Sequence, residues 1–260
     1  MNYIKDFEYH GLWNKYNVCW HHLNEDVNIL VGINGTGKTT LLNAINDYYN
    51  YNQKSSGAFF KKYGSSRIVA TPLECPVVYI QSADVPANVK RKGSSVLYDN
   101  LMRVVLQNEN QDSFFNYRMR ALNFPDEASR ITSRIRILFD EVDKYFEQTG
   151  KHIEIDKERN LLVFREESGE FIGLASLSAG EKQLLYMLLT VFLMDERPAV
   201  LLMDEPELSL HIEWQEKIIK SLRLLNDQCQ IILTTHSPSI FVNGWENKLT
   251  YIEELFTKTE

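Results

Sequence analysis

The stretch Gly32-Ile33-Asn34-Gly35-Thr36-Gly37-Lys38-Thr39-Thr40 constrains this chain more than any other. It fits the spacing G-x-x-x-x-G-K-[ST] of a phosphate-binding loop. The apolar run Val27 to Val31 reads as the strand that delivers the loop. Leu41, Leu42, Ala44 and Ile45 read as the helix that leaves it. Such a loop needs a strand before it and a helix after it, so the fold class is α/β. Glycines let the backbone curl until successive N–H groups, from Asn34 through Gly35, Thr36 and Gly37 to Thr40, face one anion. The positive end of the following helix faces the same anion. In this arrangement Lys38 reaches the β- and γ-phosphates and the Thr39 hydroxyl ligates Mg²⁺, so ATP with Mg²⁺ is the expected ligand.

Composition narrows the partners. The 260 residues carry 44% hydrophobic and 24% charged side chains, ordinary for a globular chain of one large domain or two modest ones. The net charge of −7 argues against a uniformly basic nucleic-acid binder. Local basic groups remain: Lys61, Lys62 and Arg67; Lys90, Arg91 and Lys92; and Arg118, Arg120, Arg130, Arg134 and Arg136. They fit a surface for nucleic acid or an acidic partner, or solvated surface, and the acidic whole favours the solvated reading. Cys19, Cys75 and Cys229 are far apart, without metal-ligand spacing, so reduced thiols in a cytoplasmic protein are expected. His21 and His22, adjacent on an expected strand, would face opposite ways and are not expected to bind metal. The N-terminus lacks a secretory apolar core, and the apolar run Leu184 to Met194 is cut short by Asp195, Glu196 and Arg197, so no membrane association is expected.

Periodicity supplies the elements. Ile4 to Tyr9, Val18 to His22 and Val27 to Val31 read as a small sheet ending in the phosphate loop. Loops are expected at Ser55-Ser56-Gly57 and Tyr63-Gly64-Ser65-Ser66, and a buried strand over Cys75 to Ile80. Residues 94–150 turn helical: Leu97, Leu101, Val104 and Val105 share one face. Pro125-Asp126-Glu127 starts a helix with the stripe Ile131, Ile135, Leu138, Val142 and Tyr145, and Gly150 closes it. A three-stranded meander follows over His152 to Asp156, Leu161 to Phe164 and Phe171 to Leu174. Pro198 to Met203 and Gln230 to Leu233 read as buried parallel strands joined by a crossover helix, His211 to Leu225. The expected organisation is one composite domain: residues 1–93 as N-terminal β region and phosphate-loop core, 94–150 as a helical lobe, and 151–260 as the remaining half of the core. Tyr48, Tyr49 and Tyr51 are expected to pack in the core, with adenine stacking as the less favoured reading.

Two further segments carry chemistry. Val200 to Met203 is a buried strand ending in Asp204 and Glu205, and unpaired carboxylates are expensive to bury. Beside a phosphate loop, Asp204 can hold Mg²⁺ and Glu205 can deprotonate a water aimed at the γ-phosphate. Ser178 and Glu181 have the spacing of a capping box before a long apolar helix. The end of that helix and the Ser178 hydroxyl can also bind a phosphate.

With these residues in view, the chain resembles the ABC-type ATPases. Leu177-Ser178-Ala179-Gly180-Glu181 resembles the signature motif, and Gln81 falls where the Q-loop glutamine lies. Asp204-Glu205-Pro206-Glu207 resembles the Walker B segment, Leu208-Ser209-Leu210-His211 the D-loop, and His236 in Thr234-Thr235-His236-Ser237-Pro238 the switch histidine. All five follow the family's order, from Gly32 to Pro238. The resemblance implies a mixed central sheet with an N-terminal antiparallel β part and an inserted helical lobe. The spellings Glu-Pro-Glu-Leu-Ser-Leu-His and Thr-His-Ser-Pro resemble the RecF, chromosome-maintenance and OLD-family branch. His211 and Ala179 stand where transporter ATPases carry aspartate and glycine. The sequence ends about twenty residues after His236, so the C-terminal nuclease domain of OLD-family proteins is not expected.

The resemblance also implies a mechanism. Two copies pair head to tail and enclose two ATP molecules, each between one copy's phosphate loop and the other's Ser178, Gly180 and Glu181. Gln81 senses Mg²⁺ with Thr39 and Asp204; Lys38, Glu205 and His236 serve hydrolysis. Small members of this branch serve bacterial antiphage defence, restraining or licensing a separate nuclease or toxin. The alternatives are a transporter's ATP-binding subunit and a DNA-repair or chromosome-maintenance ATPase.

Overall fold

Strands that are buried at every residue need cover on both faces, and here they gather in one sheet. The computed structural model describes residues 3–13, 15–50, 67–82, 95–106 and 113–258. Tyr51, Lys61, Lys62, Lys90, Arg91, Lys92 and the expected loops at 55–57 and 63–66 lie outside them. A five-stranded parallel sheet has the order β11 (Leu249–Tyr251), β3 (Val27–Val31), β10 (Cys229–Thr235), β9 (Ala199–Asp204), β5 (Val77–Ile80). All residues of β9 and β10 are buried. Alternate side chains supply two cores, as strand geometry requires. Leu201, Met203, Ile231 and Leu233 pack with α5 (Ala179–Leu193) and α6 (Ile212–Leu225). Val200, Leu202 and Ile232 pack with Leu41, Leu42 and Ile45 of α1 (Lys38–Asn50) and with the N-terminal sheet.

That N-terminal sheet corrects one expectation. Val27–Val31 does not join the first two strands. Instead β1 (Asp6–Leu12) pairs antiparallel with β2 (Tyr16–Trp20) and β4 (Ile68–Thr71), and β12 (Phe256–Lys258) adds to β2. The burial patterns explain the partition. β1 largely alternates between buried and half-buried residues, as a one-sided sheet demands, whereas β3 is buried at four consecutive positions. β2 stops at Trp20, so His21 and His22 lie past the strand rather than on it. His22 is left-handed at φ +56°, and His21 lies 3.4 Å from Asp6 and 3.7 Å from Glu8. Tyr49 is buried and donates to the Pro72 carbonyl. The cysteines are free.

Helices α2 (Val96–Val105), α3 (Phe114–Asn123) and α4 (Ala128–Phe146) cover one face of the core, with Pro125–Glu127 as a 3-10 turn before α4. Gly150, left-handed at φ +61°, turns the chain into the meander β6 (Lys151–Asp156), β7 (Leu161–Glu166), β8 (Phe171–Ile172). The arginines of these helices fit the solvated-surface expectation only in part: Arg130 and Arg136 are exposed, Arg118 and Arg120 half-buried, and Arg134 buried. Arg120 and Arg130 reach the Asp195 carboxylate at 3.0 and 2.9 Å, and Arg134, itself buried, reaches Glu196 at 2.6 Å. Arg118 donates to Asn160, while Arg136 is exposed. Burial alone would raise the Asp195 carboxyl. Arg130, Arg120 and the Tyr117 hydroxyl outweigh it and hold the pKa at about 2. Among the described residues no helix is long and apolar enough to cross a membrane.

Candidate nucleotide site

Three parallel neighbours, β3, β10 and β9, end side by side, and each hands its last residues to the same place. After β3 the loop curls through Gly35 and Gly37, at φ +82° and +102°. A Cβ on Gly35 would meet nothing within 4 Å, whereas one on Gly37 would lie 2.9 Å from the Trp13 ring. The first glycine leaves the mouth of the loop open, and the second lets an aromatic side chain close over it. Lys38 is buried and folds back to donate to the carbonyls of Gly32 and Ile33, at 3.1 and 3.3 Å. Burial lowers its pKa, against the carboxylates of Glu205 and Asp204, which pull the other way.

Strand β9 delivers Asp204 into the sheet interior, where two hydroxyls satisfy it. Thr39 at the start of α1 donates to Oδ1 at 3.1 Å, and Thr234 of β10 donates to the same oxygen at 2.7 Å. Thr234 Oγ1 in turn accepts from the Glu205 N–H at 3.0 Å. Glu205 is left-handed at φ +46°, which swings its carboxylate out of the strand direction. Its Oε1 lies 3.1 Å from Nε2 of His236, the residue that follows β10. The same Nε2 lies 2.5 Å from the Lys38 ammonium. One ring nitrogen cannot accept from Lys38 and donate to Glu205 at once, so this trio has two alternative proton arrangements.

Lys38, Thr39, Asp204, Glu205 and His236 therefore meet at one end of the sheet. Gln81 follows β5 one step beyond the Ile80–Met203 pair, which sets it beside Asp204 at the strand ends with an exposed side chain. The residues fit Mg²⁺ with a triphosphate: an open glycine turn, a lysine resting on loop carbonyls, and a hydroxyl beside a carboxylate, the oxygen donors that a hard cation prefers.

Ser178, Gly180 and Glu181 form a second group, at the start of α5. The capping box is present: Ser178 Oγ accepts from the Glu181 N–H at 3.2 Å, and Glu181 Oε2 accepts from the Ser178 N–H at 2.7 Å. Lys151 of β6 donates to the other Glu181 oxygen at 2.6 Å. Burial would raise the Glu181 carboxyl, but Lys151 and Ser178 outweigh it and lower its pKa. Glu181 is thus engaged by its own chain, while the Ser178 side faces outward. Gly180 lies against the D-loop-like turn: a Cβ there would be 2.2 Å from the Ser209 carbonyl oxygen.

Trp13 went unnoticed in the sequence. It sits in the turn between β1 and β2, stacks on Phe256 with 6° between ring planes, and abuts Gly37. The one signal was an aromatic residue in a tight turn ahead of the phosphate loop.

A family model described as “AAA domain, putative AbiEii toxin, Type IV TA system” matches residues 77–243. The “Retron Vc95 probable ATPase” of Vibrio cholerae serotype O1 biovar El Tor is 25% identical over 177 residues, which cover 64% of this chain and 31% of that protein. The chain thus spans about a third of that relative's length. Among solved structures, “Crystal structure of the SmcHead bound to the C-winged helix domain of ScpA” aligns with a TM-score of 0.54 at 13% identity, covering 93% of this chain and 92% of that one. “Crystal structure of Stu0660 of Streptococcus thermophilus” aligns with a TM-score of 0.54 at 11% identity, covering 98% and 76%. At these identities the likeness is one of fold, that of an SMC-head, ABC-type ATPase domain.

Proposed function

The chain belongs to the family described as “AAA domain, putative AbiEii toxin, Type IV TA system”, and from that premise we propose that it binds and hydrolyses ATP with Mg²⁺ as an ATP-sandwiched homodimer. The observation that carries this reading is the meeting of Lys38, Thr39, Asp204, Glu205 and His236 at the ends of three adjacent parallel strands.

When bound, Mg²⁺ supplies positive charge that polarises the terminal phosphoryl group and eases departure of the β-phosphate oxygen. Thr39 and Asp204 would hold it, with Gln81 at the rim. The loop N–H groups and Lys38 hold the phosphates. Glu205 takes a proton from water as the water oxygen bonds to the γ-phosphorus. The bond from that phosphorus to the bridging oxygen breaks, giving ADP and phosphate. His236 leaves Lys38 and orients the γ-phosphate and the water. Trp13 with Phe256 offers a flat apolar surface for the purine. The outward side of Ser178 and the start of α5 complete the partner copy's site. Because Glu181 is already neutralised by Lys151, it adds little repulsion there.

The biological role follows from family context rather than from site chemistry. We infer that the ATP cycle restrains or licenses a separate nuclease or toxin in antiphage defence, in the cytoplasm. The name of the retron relative supports this context. The internal use of Arg120, Arg130 and Arg134 lessens the case for a nucleic-acid surface on that lobe.

The test is trapping. Glu205→Gln should still bind ATP and should pair in its presence, as read by light scattering. Ser178→Arg should bind ATP as a monomer and fail to pair. Dimers of Ser178→Arg with ATP would overturn the head-to-tail arrangement. Purification of the trapped form from its host then reads the partner. A soluble effector supports the role, whereas a membrane permease or DNA alone would replace it with transport or repair.

A further inference from the structure

We propose that Glu207 is a positioning residue that fixes the loop carrying His236, and with it the imidazole, against Lys38 and Glu205; the role rests on the ATPase reading above. Glu207 is buried, yet it lies two residues past Glu205 in a turn that leaves the sheet. Its Oε1 accepts from three consecutive residues of the neighbouring loop: the Thr235 hydroxyl at 2.6 Å, the His236 N–H at 2.8 Å and the Ser237 N–H at 3.3 Å. Strand β10 ends at Thr235, so the next N–H groups leave the sheet ladder and need another acceptor. One carboxylate oxygen supplies it, shared in the case of Ser237 with the Thr235 hydroxyl oxygen at 2.9 Å.

Two further observations fit an arrangement that serves geometry rather than solvation. Among the described residues the second oxygen, Oε2, is buried with no hydrogen-bond partner, which costs stability. Glu207 is also flanked by two left-handed residues, Glu205 at φ +46° and Ser209 at φ +73°, a conformation that is strained for both side chains. The strained turn directs the Glu207 carboxylate back under the end of β10. On its far side the loop is tied down again: the Ser237 hydroxyl donates to Gln215 Oε1 at 2.6 Å, and Gln215 Nε2 donates to the Leu210 carbonyl at 2.9 Å. The loop that presents His236 is thus held from both ends of the segment 207–215. Ser209, within that segment, touches Gly180 of the signature helix. A shift of that helix on pairing would therefore pass through Glu207 to His236.

The test is a double-mutant cycle in full-length protein, reading kcat, KM and ATP affinity. Glu207→Ala should lower kcat about 10- to 100-fold, less than the ~10²- to 10⁴-fold that a proton-transfer group itself contributes, because His236 orients the reacting groups and Glu207 acts through it. ATP affinity should stay within about 2-fold, since Glu207 acts through His236 alone. Glu207→Gln, which keeps an acceptor oxygen, should recover most of the loss. In a His236→Ala background, Glu207→Ala should cost less than about 2-fold more. Equal loss in both backgrounds, unchanged kcat, or a change confined to KM would overturn the role. If Glu207→Ala does not fold, Thr235→Val, which keeps the carboxylate and removes one donor, is put through the same cycle, with the same outcomes deciding. Wild-type protein without turnover overturns the ATPase reading and this role with it, whereas Glu205→Gln with normal turnover overturns Glu205 as the base and, with it, the arrangement that Glu207 is proposed to serve. Turnover that needs Glu205 but ignores Glu207 overturns this role alone.

Discussion

Two Asp-Glu pairs mark the two ends of strand β9, Asp195-Glu196 ahead of it and Asp204-Glu205 where it finishes, and the chain treats them in opposite ways. Both include left-handed residues: φ is +53° at Asp195, +60° at Glu196 and +46° at Glu205. At the first pair, guanidinium groups from two helices close on the carboxylates. At the second, Asp204 is met by two threonine hydroxyls, and Glu205 by an imidazole that a lysine already engages. Acids matched by arginine fasten one part of the molecule to another. Acids met by hydroxyls and an imidazole at the ends of inner strands offer the oxygen donors a hard cation prefers.

The sharpest way to break this contrast is to exchange the effects. Asp195→Ala should cost about 1–3 kcal/mol of folding stability, since of its partners only Arg134 is buried while Arg120 and Arg130 keep access to solvent. Turnover per folded molecule should change little. Urea denaturation beside ATP turnover checks both; a large fall in turnover without lost stability would erase the contrast. Glu205→Gln should do the reverse, with hydrolysis about 100-fold slower and the melting temperature nearly unmoved. A smaller effect separates the pairs by acid. The Asp195 carboxyl is held down to about 2, so its contribution is full above the unfolded pKa near 4. It fades as pH falls from about 4 through 2. Asp195→Asn should flatten that limb of the stability curve, and an unchanged limb would count against the arginine cluster. Least of all, Glu196→Gln should cost no more than about 1 kcal/mol, because its side chain is 53% exposed.

The sequence revealed these regions unevenly, for physical reasons. The phosphate loop, β9, β10 and the capping box of α5 are local patterns, in which neighbouring residues carry the whole instruction. The separation of β3 from β1 and β2 was hidden, because a strand's partner is set by distant residues. β11 and β12, three residues each, are too short for any periodicity. Arg120, Arg130 and Arg134 read as surface on their own helices, and only the packing of α3 and α4 beside the end of α5 buries Arg134 and brings the other two to Asp195. Lys38, Thr39, Asp204, Glu205 and His236 could be named from motifs. Trp13 and the bonds from Glu207 to the His236 loop depend on which turns lie side by side.

The strand order also sets a timetable for synthesis. The strand that bears the phosphate loop, residues 27–31, is flanked by residues 231–235 and 249–251. A nascent chain emerging at 5–20 residues per second holds that loop without either neighbour for roughly 10–40 s. Throughout that interval Lys38 and Thr39 have neither His236 nor Asp204 beside them. A ribosome-bound chain should therefore gain nucleotide affinity late and abruptly, once β10 slots into the middle of the sheet.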